Sequence, residues 1–203
     1  LGLKNLAIID YAIKKINKRF NKNYTIDNFK YDDKTSYDLI SKNETIGIFQ
    51  LESAGINKVI SQLKPNSFNE VVDLLALYRP GPMDNINEYI SRKNNKPYQL
   101  IDDSLSDILK PTYGIIIYQE QIMQICQRVC LFSFSEADIL RRAISKKKIK
   151  EINNLKEKFI NGAINNGFSK QKAILLYNYI EKFAQYGFNK AHSVGYAKIS
   201  VMS

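Results

Sequence analysis

The chain has 203 residues, 44% of them hydrophobic and 25% charged, which is enough for a sizeable core without disulfide or metal staples. No apolar run approaches the ~20 residues of a membrane span and no signal-peptide pattern opens the sequence, so the expectation is a cytoplasmic protein with no membrane partner. The net charge of +10 suggests a polyanionic partner, but heavy use of Lys, Asn and Ile is also what an AT-rich coding bias produces.

In chain order, Leu6, Ile9, Ile13, Ile16 and Phe20 keep the three-and-four spacing of an amphipathic helix. Asn-rich 21–28 reads as a loop, and Asp32 or Asp33 can cap a short helix through Ile40. Thr45 to Phe49 is a strand candidate. A helix carrying Ile56, Val59, Ile60 and Leu63 follows and is closed by Pro65. Ser67 and Glu70 form a capping box that opens a helix with Val71, Leu74, Leu75 and Tyr78 on one face. Pro80-Gly81-Pro82 stops it. Residues 86–103 are polar and read as loop-rich with some helix. The β-branched run Gly114 to Tyr118 reads as a buried strand that feeds a helix over about 120–132. Ser135, with Asp138 three residues on, predicts the start of the next helix. Two further helices are separated by Asn165-Asn166-Gly167, a left-handed cap signal. A glycine-broken turn, Tyr186 to Lys190, precedes the last helix. Cys126 and Cys130 lie four apart in a helical pattern and read as core thiols.

Four segments concentrate polar chemistry. Arg141-Arg142-Ala143-Ile144-Ser145-Lys146-Lys147-Lys148 places five cations in eight residues. On helical spacing Arg142 and Lys146 share a face, as do Arg141 and Lys148, and Asp138 is the local counter-charge. Only six of the thirty basic residues are arginines, so Arg79, Arg141 and Arg142, in their distinctive contexts, point to forked recognition of phosphate oxygens. The plainer reading is a solvated charge run. Tyr78-Arg79-Pro80-Gly81-Pro82 fixes one arginine between rigid residues, or simply stops a helix. Tyr118-Gln119-Glu120-Gln121 sits at a strand-to-helix junction, where Glu120 also suits an ordinary helix N-terminus. Phe188 to Tyr196 gathers aromatic, amide, ammonium, imidazole and hydroxyl groups. Such a mix holds bases and single strands, although a lone His192 can equally be structural. No glycine-rich phosphate loop or dinucleotide fingerprint is present. The acidic pairs Asp32-Asp33 and Asp102-Asp103 are adjacent residues in loop-like sequence, so no metal site is expected.

In order and spacing these segments resemble the alpha subunits of bacterial DNA polymerase III, the C-family replicative polymerases. The likeness runs through Leu1-Gly2-Leu3, Gly47 to Ser53, Tyr78 to Pro82, Thr112-Tyr113-Gly114 and Tyr118 to Gln121. It continues through Glu136-Ala137-Asp138, Arg141-Arg142-Ala143, Lys146 to Lys148, and Tyr186 to Lys190 with His192-Ser193 and Tyr196-Ala197. The family usually has Ala-Met-Gly before the lysines; here Ile144 and Ser145 stand instead. Ser145 is strained if that Gly takes a positive φ and harmless if it is helical.

The resemblance implies a mostly α fold, an irregular multi-helix fingers domain with a few short β-strands. Residues 1–20 would be a palm-to-fingers connecting helix and 21–203 the fingers, cut before their end. It implies a DNA-directed DNA polymerase that acts on template-primer and deoxynucleoside triphosphates. The Mg²⁺-binding aspartates would lie in the palm, upstream of Leu1, so that the segment alone is expected to be inactive. Other replicase subunits, the sliding clamp among them, would be met through regions outside this segment. Arg141, Arg142, Lys146, Lys147 and Lys148 would face the triphosphate. Arg79, Gln119, Glu120, Phe188, Asn189, Lys190, His192, Ser193 and Tyr196 would build the nucleotide pocket and template contacts. The competing reading is a non-catalytic helical module that binds nucleic acid through its basic face.

Overall fold

The computed structural model describes residues 3–146, 149–184 and 186–203. The chain divides into two compact units, Leu1–Tyr78 with Ala191–Ser203, and Arg79–Lys190.

The first unit contains α1 (Lys4–Phe20), α2 (Lys34–Ser41), α3 (Ala54–Leu63) and α4 (Phe68–Leu77), together with most of α11 (Lys190–Met202). α4 is buried nearly all round, including Glu70 and Asp73, as a helix at the centre of a unit must be. Asp33 caps α2 by accepting the N–H groups of Thr35 and Ser36. The Ser67–Glu70 capping box forms only in part. The Ser67 hydroxyl makes no cap bond, and the Glu70 carboxylate instead accepts the Asn66 N–H at 2.8 Å. α11 is pinned by hydroxyls: Ser193 donates to the Val72 carbonyl at 2.5 Å, and Ser200 to that of Phe49 at 2.8 Å. Phe49, Ile9 and Ile199 form a small core with Tyr196 and Met202 packed against it. On α1 only Ile9 is buried, while Leu6, Ile16 and Phe20 of the expected apolar face are exposed.

The strand expected at Thr45 to Phe49 is not formed. Gly47 takes φ +85 and Gln50 φ +65, and the backbone closes tight turns, with Ile48 N–H on Thr45 O and Leu51 N–H on Ile48 O. The Glu52 carboxylate locks the bend by accepting the Gly47 N–H. A strand needs a neighbour for its N–H and C=O groups, and here the turn satisfies them locally.

The second unit holds α5 (Ile86–Lys93), α6 (Ser106–Leu109), α7 (Gln119–Cys130), α8 (Phe134–Ser145), α9 (Ile149–Asn165) and α10 (Lys170–Ala184). α7 to α10 pack on one another around Ile122, Ile125, Leu140, Phe159, Leu176 and Ile180, with Phe159 edge-on to Phe132 and Tyr177. Gly167, at φ +90, ends α9 in the left-handed cap that its sequence announces, with Phe168 N–H closing back on Ala163 O. Within 86–103, read as loop-rich with some helix, the helical part is α5 (Ile86–Lys93).

α8 starts two residues earlier than Ser135 implies. Leu131, at φ +55, terminates α7. Ser133 then caps α8 in a reciprocal box with Glu136, whose carboxylate accepts both the N–H and the O–H of Ser133. Glu reaches back over one turn; the shorter Asp138 pairs with Arg141 and Arg142 instead. Ser145 is the last residue of α8 and helical, so of the two alternatives for this position the harmless one holds.

The run Ile115 to Ile117 is buried as expected but is not a strand. Ile115 N–H closes a turn on Thr112 O, and the Thr112 hydroxyl donates to Ile115 O. Ile117 N–H donates to the Gln121 side chain, and Ile117 O accepts from Phe188 N–H. The one ladder contact among the described residues is a parallel bridge between Tyr118 and Phe188. Among the described residues the fold is therefore helical with no strand, which corrects the expectation of a few short ones.

Candidate functional site

Most of the polar chemistry expected from the sequence lies in the second unit, around the N-terminus of α7. The Tyr118–Phe188 bridge brings two of the four segments together: Phe188 N–H donates to Ile117 O, and Gln119 N–H to Phe188 O, each at 2.9 Å. The Gln119 side chain fastens the same corner by donating to the Gly187 carbonyl at 2.9 Å. The Glu120 carboxylate accepts the Lys190 N–H, and the Lys190 ammonium lies 5.3 Å from the centre of the Tyr118 ring. Thus Gln119 and Glu120 hold the 187–190 turn in place.

Arg79 joins from the start of the unit. Its guanidinium stacks over Phe188, 4.5 Å from the ring centre, and donates to the Tyr186 carbonyl. Burial pushes its pKa down from the usual arginine range. Gly81 makes this approach possible. It sits at φ +95, and a Cβ there would meet the Tyr186 ring at 2.5 Å, so the Pro-Gly-Pro turn admits that ring only because it has no side chain at its middle.

The paired arginines separate. Arg141 is 19% exposed and each of its three guanidinium nitrogens is hydrogen-bonded. Nε and one Nη donate to Asp138 Oδ1 at 2.9 and 2.6 Å, and the other Nη to Gln119 Oε1 at 2.9 Å. It lines a groove with Gln119, Asp138 and Asn189. Arg142 is 56% exposed, pairs with Asp138 Oδ2 at 2.7 Å, and lines a different cleft of about 250 Å³ with Lys146 and Glu151. The shared face expected for Arg142 and Lys146 is present. Lys147 and Lys148 lie outside the described residues. Hydrogen bonds from Arg141, with further support from Arg142, hold the Asp138 carboxyl below the usual carboxylate range.

His192, Ser193 and Tyr196 belong to the first unit. His192 stacks on Tyr196 with ring centres 4.3 Å apart, Tyr196 packs on Phe49, and Ser193 is fully buried against Val72. The nine-residue cluster read from the sequence is thus divided between the two units.

No three metal-ligating side chains converge among the described residues. One member of each acidic pair has a structural use: Asp33 caps α2, and Asp102 accepts from Ser104 N–H and pairs with Lys172 of α10 at 2.5 Å. Gln121 is the residue whose weight the sequence reading missed. It is buried, accepts the N–H groups of Ile117 and Tyr118, and donates to Ile108 O and Thr112 Oγ. Its signal was an amide four residues before Ile125, on the buried stripe of α7.

A family model described as the bacterial DNA polymerase III alpha subunit finger domain matches residues 5–167. The chain belongs to that family. It is 48% identical over 202 residues to a protein named DNA polymerase III subunit alpha from Staphylococcus epidermidis, covering 98% of this chain and 19% of that protein. Proteins of the same name from Halalkalibacterium halodurans and Staphylococcus aureus are 43% and 45% identical over 201 residues, with 98% of this chain covered in each case and 18% and 19% of the relative. The chain therefore spans about a fifth of the length of these polymerase III alpha subunits. The matched stretch runs from α1 to the end of α9. No described helix is long and apolar enough to cross a membrane.

Proposed function

We propose that this segment serves as the fingers of a DNA-directed DNA polymerase, in which α8 presents its basic end to the triphosphate of the incoming deoxynucleotide. The observation that carries this reading is the cleft of about 250 Å³ in which an exposed guanidinium, Arg142, and an exposed ammonium, Lys146, face the same space at the end of α8. A forked donor and a point charge on one wall suit a polyphosphate, and a positioned cation is worth most where charge develops on a leaving pyrophosphate. Arg79 on Phe188, with the Gln119–Gly187 and Glu120–Lys190 hydrogen bonds, would form the rigid corner beside it that carries base and template contacts. Template-primer DNA and deoxynucleoside triphosphates are the substrates this implies. Carboxylates elsewhere in the full protein would hold the Mg²⁺ of such an enzyme, which would supply Lewis-acid stabilisation of phosphoryl charge.

The test is Arg142→Ala and Arg142→Lys in the full-length subunit carrying this segment. Losing a charged contact in a water-excluded site costs about 2–4 kcal/mol, or roughly 30- to 1000-fold in incorporation rate. Lys cannot reproduce the fork and is expected to lose most of what Ala loses, while primer-template affinity stays near wild type. If instead DNA affinity falls and single-turnover incorporation on saturating DNA is intact, the basic helix end is a backbone-binding surface, as in a non-catalytic nucleic-acid module.

A further inference from the structure

One carboxylate serves both arginines. Asp138 lies three residues before Arg141 and four before Arg142, the two helical spacings that let a single side chain reach both. Its Oδ1 takes two hydrogen bonds from Arg141 and its Oδ2 the ion pair of Arg142, and Gln119 takes the remaining nitrogen of Arg141. All three guanidinium nitrogens of Arg141 are thereby committed to protein acceptors. Arg142 commits one nitrogen and keeps 56% exposure toward the cleft with Lys146. The two neighbours in sequence are not equivalent in chemistry.

We infer that Asp138 is the positioning residue of this site, fixing Arg141 as a tie to the Gln119 corner and aiming Arg142 as the guanidinium that takes the polyphosphate. The inference rests on the nucleotide-binding reading above. An anion beside a polyanion site is costly unless it orients something. Here the cluster of Asp138, Arg141 and Arg142 stays net positive, while the long Arg142 side chain, rich in rotamers when unrestrained, is held at one end. The chain Asp138–Arg141–Gln119–Gly187 also links that end of α8 to the turn beside Phe188, so orientation of the arginine and of the corner are set together.

The experiment uses the full-length subunit on a primer-template with dATP opposite template T, titrating dATP in single-turnover incorporation. Asp138→Asn keeps the shape and removes the charge. Losing a hydrogen bond to a charged group is expected to raise the dATP dissociation constant roughly ten- to a hundredfold, with a smaller change in the maximal rate. Asp138→Glu is expected to recover part of the affinity. In the Asp138→Asn/Arg142→Ala double variant the affinity loss should be clearly less than the two single losses added, because the part of the Asp138 loss that acts through Arg142 is shared. A purely structural Asp138 would instead lower the melting temperature, weaken DNA and nucleotide binding alike, and add in full to Arg142→Ala. Unchanged or tighter dATP binding in Asp138→Asn, or full additivity, overturns the inference while leaving the nucleotide reading intact if Arg142→Ala is itself defective. An Arg142→Ala subunit with wild-type dATP affinity and wild-type single-turnover incorporation overturns both.

Discussion

Glu136 shows how much work one exposed carboxylate can do in this fold. It accepts the Lys158 ammonium at 2.6 Å and both the N–H and the O–H of Ser133 at 2.8 Å, so it caps α8 and ties it to α9 at once. These partners, Lys158 foremost, lower its pKa to about 2, against about 4.3 for an unstructured glutamate. A carboxyl depressed on folding contributes stability that is complete above the unfolded value and is lost as pH falls through the folded one. Thermal unfolding of the wild-type chain is therefore expected to become easier between about pH 4.3 and about pH 2. Glu136→Gln, which keeps an acceptor but cannot titrate, should show a flatter dependence in that window. Parallel melting curves for the two proteins across it would show that the carboxylate is not held as described. The contrast with Asp138 is instructive. Both acids are depressed by cations, but Glu136 joins two helices, whereas Asp138 orders two arginines of its own helix.

At the scale of elements, the helices were legible, whereas the two strands expected at Thr45 to Phe49 and Gly114 to Tyr118 do not form. The apolar spacing of Ile56, Ile60 and Leu63, the Asp33 cap and Gly167 act within one turn of chain, so they fix α3, the start of α2 and the end of α9 without outside help. Ile115 to Ile117 carried an equally strong β-branched signal, but a strand exists only if a partner supplies a ladder, and that lies outside any local pattern. Gln121 takes the partner's place by satisfying two successive N–H groups from a helix side chain. The division of Arg141 from Arg142 was equally hidden, since it depends on Gln119, 22 residues away. Gln121→Leu would strand the Ile117 and Tyr118 N–H groups and the Ile108 carbonyl in the interior. Unsatisfied buried groups cost about 1–3 kcal/mol each, so a loss of about 3 kcal/mol in denaturant unfolding is expected. Exposed Gln124→Ala on the same helix should stay within about 0.5 kcal/mol of wild type. A Gln121→Leu protein as stable as the control would remove the amide from its place as organiser of this corner.

For the molecule as a whole, the charge is unevenly placed. Arg79–Lys190 carries 18 basic and 11 acidic residues, whereas the remainder of the chain carries 12 and 9. Coding bias spreads lysine throughout the sequence, but it does not account for most of the excess falling in the unit that also holds the Arg142–Lys146 cleft and the Arg79–Phe188 stack. If that unit supplies the phosphate contacts, log affinity for duplex DNA should fall linearly with log salt, with a slope of about −0.9 for each phosphate neutralised. A labelled duplex titrated with the chain from low to physiological ionic strength measures that slope. Lys15 and Lys18 are exposed on α1 of the first unit, and replacing both with Ala is expected to change the slope by less than the ~0.9 of one phosphate. A fall of twice that would move the electrostatic footprint to the first unit, and a flat titration in the wild type would remove it altogether. The flat titration alone would leave the net charge of +10 as a matter of composition rather than of binding.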